Sequence, residues 1–112
     1  MSWLYPDADR AGMLVAYPSA SGDYWNTPNS PPAYWGVPDV PFVDAVIDDV
    51  ATRHDVDRDR IYVAGYSNGA IFAQVLACLR GESIAGLAVV GAGISGEVST
   101  TCPWARLSLI HI

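Results

Sequence analysis

The sequence predicts an α/β fold: a mostly parallel sheet flanked by helices. Three observations predict it. Short apolar runs alternate with segments whose apolar residues recur at helical spacing. Hydrophobic residues make up 51% of the chain and charged ones only 16%, below the quarter or so usual in a soluble domain, which suits strands covered on both faces. The 112 residues leave room for one domain at most, so residues 1–112 are read as a single unit with one core.

The elements follow in chain order. Ala8-Asp9-Arg10-Ala11-Gly12 ends a helix, with Gly12 as the terminating residue. Leu14-Val15-Ala16-Tyr17, stopped by Pro18, reads as a buried strand. Residues 18–41 hold six of the eight prolines together with Tyr24, Trp25, Tyr34 and Trp35, the composition of a long ordered loop. Loops of this length are uncommon and often bind ligands. The rings either line a groove or anchor the loop on the core.

Asp39 reads as the N-cap of the next helix, which tolerates Pro41 in its first turn. Val43, Val46, Ile47, Val50 and Ala51 then recur at helical spacing, so the helix is expected over residues 39–54. Residues 61–65 form a second buried strand, 70–79 a second helix, rich in alanine and long apolar side chains and closed by Gly81, 84–90 a third strand and 107–112 a fourth. A buried central strand at the chain's end is expected to need neighbours. The chain therefore reads as the central part of a larger domain, incomplete at both ends, marginally folded by itself and prone to aggregate at its open edges.

Several function classes are excluded. The net charge is −6, and the six arginines are scattered rather than gathered into a stripe, which argues against nucleic-acid binding. No apolar run reaches membrane-spanning length. The first residues lack the basic and apolar regions of an export signal. Cys78 and Cys102 are not spaced as metal ligands and have no histidine near them; either they pair or both are buried thiols. Oligomeric state is not readable.

One motif carries chemistry. Gly65-Tyr66-Ser67-Asn68-Gly69 fits G-x-S-x-G, follows an apolar strand and opens an apolar helix, the context of a nucleophile elbow. In such a turn Ser67 is the nucleophile, held in a strained backbone conformation. Gly65 and Gly69 let strand and helix approach, and the backbone N–H of Asn68 faces the oxyanion hole. A plain Gly/Ser-rich strand-to-helix turn is the alternative. A serine nucleophile needs a histidine base oriented by a carboxylate. After Ser67 the chain offers only Glu82, Glu97 and His111, while His54 precedes it at a helix end. Both histidines read as non-catalytic, one a surface or capping residue and the other packed on a strand. The elbow makes the predicted architecture a partial α/β-hydrolase.

Four stretches together resemble the polyhydroxybutyrate depolymerase and feruloyl-esterase-like family of secreted bacterial esterases. They are residues 8–18, 39–49, the elbow segment 56–70 with its Ser-Asn-Gly core, and Cys102-Pro103 followed by Leu109-Ile110-His111-Ile112. The resemblance implies that Ser67 is the nucleophile. It places the acid just beyond Ile112, the base further on, and a His-Gly segment of the oxyanion hole before Met1. It also implies an extracellular protein with a Cys78–Cys102 disulfide, acting on a polyester or an aromatic ester through an acyl-enzyme and without a cofactor. Tyr66, Trp25 and Trp35 are then candidates to touch substrate.

Two other readings stand beside the serine esterase. A serine peptidase on the same fold shares the elbow, and comparing aryl ester with aryl amide turnover separates the two. A non-catalytic binding module that kept the elbow but lost its base is ruled out if Ser67→Ala abolishes ester turnover. The 112-residue chain alone is expected to be inactive.

Overall fold

The computed structural model describes residues 5–91, 93 and 108–111. Helix α1 (Tyr5–Ala11) ends at Gly12, whose φ of +70° is the left-handed conformation that stops a helix. A long irregular stretch follows, broken by a 3₁₀ turn at Pro32–Tyr34. Helix α2 (Asp39–Arg53), strand β1 (Tyr62–Tyr66), helix α3 (Asn68–Leu79), strand β2 (Gly86–Val90) and strand β3 (Ser108–His111) complete the order. The three strands form one parallel sheet, β1-β2-β3, with Gly65 opposite Val89 and Val89 opposite His111. This is a partial α/β fold, and the second, third and fourth predicted strands all lie in it.

Helix α3 covers one face of that sheet. Its small residues Ala70, Ala73 and Ala77 pack on Leu87 and Val89, with Val63 against them. Its other side carries Phe72 and Leu76 to Val43 of α2, with Ile47 and Val75 around them. The Arg80 guanidinium grips the Asp44 carboxylate in a fork (Nε to Oδ1 3.1 Å, Nη2 to Oδ2 2.8 Å), tying the end of α3 to α2. That hydrogen bond, with the attraction of the same carboxylate, raises the Arg80 pKa further above its ordinary value.

Three expectations need correction. Residues 14–17 are exposed and form no strand. A strand needs a neighbour to satisfy its N–H and C=O groups, and among the described residues none lies beside this run. Ala16 and Tyr17 instead border a groove with Phe42, Val46 and Val50 of α2. Secondly, among the described residues β1 is covered on one face only: Tyr62, Ala64 and Tyr66 point away from α3 and are exposed. Thirdly, Asp39 is the first residue of α2, not its cap. Its buried carboxylate accepts a hydrogen bond from the Asn26 N–H at 2.7 Å, across the loop.

The turn into β1 is built by Asp57, which accepts from the Asp59 N–H (3.0 Å) and from Arg60 Nε (2.8 Å). Those bonds, the backbone one first, hold the Asp57 pKa below its ordinary 3.8. A depressed carboxylate stabilises the fold above its unfolded pKa and loses that contribution as pH falls through the folded one. Asp57→Asn should therefore remove part of the stability gained between strongly acidic and neutral pH, measured by denaturation across that range.

Cys78, on α3, is disulfide-bonded. The sequence contains one other cysteine, Cys102, which lies outside the described residues. Closing a loop of that length restricts the unfolded chain, so Cys78→Ser should cost roughly 3 kcal/mol in urea denaturation. An unchanged midpoint under reducing conditions would show that the bridge carries no stability.

Candidate active site

The strongest local signal in the backbone is at Ser67. Among the described residues it alone, apart from glycines, has a positive φ: 54°, with ψ at −117°. That combination lies outside the left-handed helical well, so an L-residue there is strained. The surroundings hold it in place. The Ser67 N–H donates to the Val90 carbonyl at 2.9 Å, pinning the turn to the end of β2. The Ser67 carbonyl accepts from the N–H groups of Ala70 (3.0 Å) and Ile71 (3.2 Å), starting α3.

The chain reverses there within a very tight space. A Cβ on Gly65 would sit 2.2 Å from the Gly69 carbonyl oxygen and 2.7 Å from the Ala70 nitrogen, so the strand and the helix pass in backbone contact. Gly69 is different: a Cβ there would meet only the Trp25 indole, at 3.9 Å. The expectation that both glycines are required by crowding thus holds for Gly65 alone.

Ser67 is exposed at the C-terminal edge of the sheet, with α3 beginning directly behind it. The first N–H groups of a helix have no partner within it, and together with the helix dipole they favour negative charge. The N–H of Asn68, the first residue of α3, is one of these. Its side chain is engaged elsewhere: Oδ1 accepts from the Trp25 N–H at 2.8 Å, and Nδ2 reaches Thr27 Oγ1 at 3.5 Å.

The candidate aromatic residues separate. Tyr66, 62% exposed, stands beside Ser67, and its ring closes on Gly91, where an added Cβ would lie 3.0 Å from the ring. Trp25 is half-buried and lies flat on Phe72, ring centres 4.7 Å apart and 1° from parallel, with Phe42 beyond it. It anchors the loop on α3. Trp35 is exposed, donates from Nε1 to the Ser30 carbonyl (3.0 Å), and borders a groove of about 460 Å³ with Val37, Pro38, Val75 and Leu79. Ser67 does not line that groove.

The two histidines lie on different elements. His54 caps the C-terminal end of α2, before the turn into β1. His111 pairs with Val89 in β3, level with Gly65 and two strands across, about 10 Å away by strand spacing. Because β3 runs parallel to β1, its C-terminal end lies at the same sheet edge as Ser67.

Among curated proteins, the chain is similar to NocK of Nocardia uniformis subsp. tsuyamanensis, a protein named as a candidate esterase. The two are 33% identical over 113 residues. The match takes in 99% of the chain but 33% of the relative, so the chain spans about a third of that protein's length. No protein-family model matches the chain, and no solved structure matches it.

Sequence reasoning missed Gln74. It is completely buried in α3, and its Nε2 donates to the Gly93 carbonyl at 2.9 Å, fixing the backbone just past β2. An amide in the middle of an apolar run of that helix was the signal. Among the described residues no cluster of His, Cys, Asp and Glu could hold a metal, and no helix is long and apolar enough to cross a membrane.

Proposed function

We propose that this segment supplies the nucleophile of a serine-dependent carboxylic ester hydrolase. The observation that carries the reading is the strained Ser67 (φ 54°) at a strand-to-helix turn, at the free N-terminus of α3. Ser67 Oγ attacks the ester carbonyl as its proton passes to a histidine base outside the segment. The tetrahedral oxyanion accepts a hydrogen bond from the Asn68 backbone N–H, whose fixed orientation costs no rearrangement as charge develops. The alcohol leaves, and water releases the acid from the acyl-enzyme. The parallel run of β3, whose C-terminal end lies at the Ser67 edge, supports an acid supplied from beyond that strand.

The polyhydroxybutyrate depolymerase and feruloyl-esterase-like family remains our finer assignment, with a polyester or aromatic ester as substrate. The disulfide at Cys78 supports an extracellular location, since such bonds persist in oxidising compartments. A fluorophosphonate probe tests the core of the proposal. The complete protein carrying this segment should be labelled, and peptide mass spectrometry should place the adduct on Ser67. Efficient turnover with no adduct at that residue would reject the reading.

A further inference from the structure

The elbow is tied to the aromatic loop by the Asn68 side chain. Three successive loop residues are tethered through their backbone N–H groups. Trp25 donates to Asn68 Oδ1 (2.8 Å), Asn26 to Asp39 Oδ2 (2.7 Å) and Thr27 to Ser30 Oγ (3.1 Å). The Trp25 ring already secures the loop to α3 by stacking on Phe72. The Asn68 bond adds a fixed position relative to the nucleophile, because Asn68 is covalently next to Ser67. Tyr24 is covalently next to Trp25. Its ring is 41% exposed and stands edge-on to Tyr34 at 5.3 Å, while the Tyr34 hydroxyl accepts from the Asp23 N–H at 3.3 Å. A rigid aromatic surface is therefore held one residue to the far side of the Trp25–Asn68 bond.

We propose that the Asn68 carboxamide is a positioning group. It sets the loop against the nucleophile turn so that Tyr24 forms one wall for the extended part of an ester substrate. The inference rests on Ser67 being the nucleophile, and it concerns the Asn68 side chain, not its backbone N–H. A short acyl group on Ser67 does not extend to the Tyr24 wall, whereas a long one lies along it. Losing the clamp lets the loop drift and weakens selection for the long chain.

The test uses the complete protein carrying this segment, with p-nitrophenyl octanoate and p-nitrophenyl acetate as probes. The readout is the ratio of their kcat/KM values. Loss of one loop-fixing hydrogen bond should lower the octanoate preference about fivefold in Asn68→Ala. Asn68→Asp keeps the acceptor for the Trp25 N–H and should restore the ratio, although its charge beside the oxyanion lowers kcat for both esters. Tyr24→Ala should lower the ratio by the same factor, and the Asn68→Ala/Tyr24→Ala double variant should lower it no further, because both remove one device. A parent-like ratio in Asn68→Ala, or effects that multiply in the double variant, overturns the proposal. If Asn68→Ala does not fold, Asn68→Asp and Tyr24→Ala decide alone: a lost preference in the first or an unchanged one in the second overturns it. Ester turnover surviving in Ser67→Ala marks failure of the nucleophile assignment instead, and the positioning role falls with it.

Discussion

Ser67→Ala in the complete protein should reduce ester turnover by about 10⁵–10⁶-fold, the loss expected when an acyl-transfer nucleophile is deleted while the oxyanion donor and substrate contacts survive. The same substitution should leave stability almost unchanged, because alanine meets the same backbone restriction at φ 54° that serine does. Ser67→Gly separates the two roles of the position. Glycine adopts a positive φ without a Cβ penalty, so this variant should be inactive and more stable by about 1–2 kcal/mol, the strain stored at such a site. Steady-state turnover of p-nitrophenyl acetate and urea denaturation of the three proteins measure both effects. An inactive glycine variant with raised stability is what a nucleophile held under strain predicts. A glycine variant no more stable than the parent would mean that the turn holds serine without strain. Full turnover in Ser67→Ala would remove the catalytic reading altogether and leave a strand-to-helix turn with no chemistry.

Local sequence reasoning located the strand-to-helix units because each carries its own signal. The apolar residues of β1 and β2 stand next to turn residues, and those of α3 repeat at helical spacing, so these elements fall within two residues of their expected starts. The G-x-S-x-G spacing also fixes where the backbone must reverse, and the positive φ falls on its serine. Errors came where an outcome depends on a distant partner. The run at 14–17 has the composition of a strand, but composition does not supply the neighbour that makes one. Asp39 has the chemistry of a cap, yet its carboxylate is taken by Asn26, thirteen residues earlier and close only because the loop folds back. For Trp25 the sequence left two outcomes open, groove lining or anchoring of the loop, and the stack on Phe72 shows the anchoring contact. Nothing in the residues beside Trp25 signals that stack.

The glycines of the motif show the same limit and yield the sharpest stability test. Both are written into the pattern as if equivalent, but the space around them differs. At Gly65 the three atoms nearest an added methyl are all backbone: the Gly69 carbonyl oxygen at 2.2 Å, its carbon at 2.5 Å and the Ala70 nitrogen at 2.7 Å. No side-chain rotation relieves that overlap. Helix α3 would have to move off β1, pulling Ala70, Ala73 and Ala77 away from Leu87 and Val89, the tightest layer of the core. Gly65→Ala should therefore cost roughly 3–5 kcal/mol, at the upper end of overpacking and backbone-strain effects, which is a large share of the 5–15 kcal/mol that holds a typical domain together. Gly69→Ala should do the opposite. Its methyl meets only the Trp25 indole at an ordinary 3.9 Å, and alanine in the first turn of α3 restricts the unfolded chain, a gain of about 0.5–1 kcal/mol. Urea denaturation of the two variants beside the parent protein decides the point. Two losses of similar size would show that the helix, not the strand crossing, sets the tolerance of the motif. A Gly65→Ala protein within 1 kcal/mol of the parent would show that α3 does not lie against β1 as closely as this turn requires.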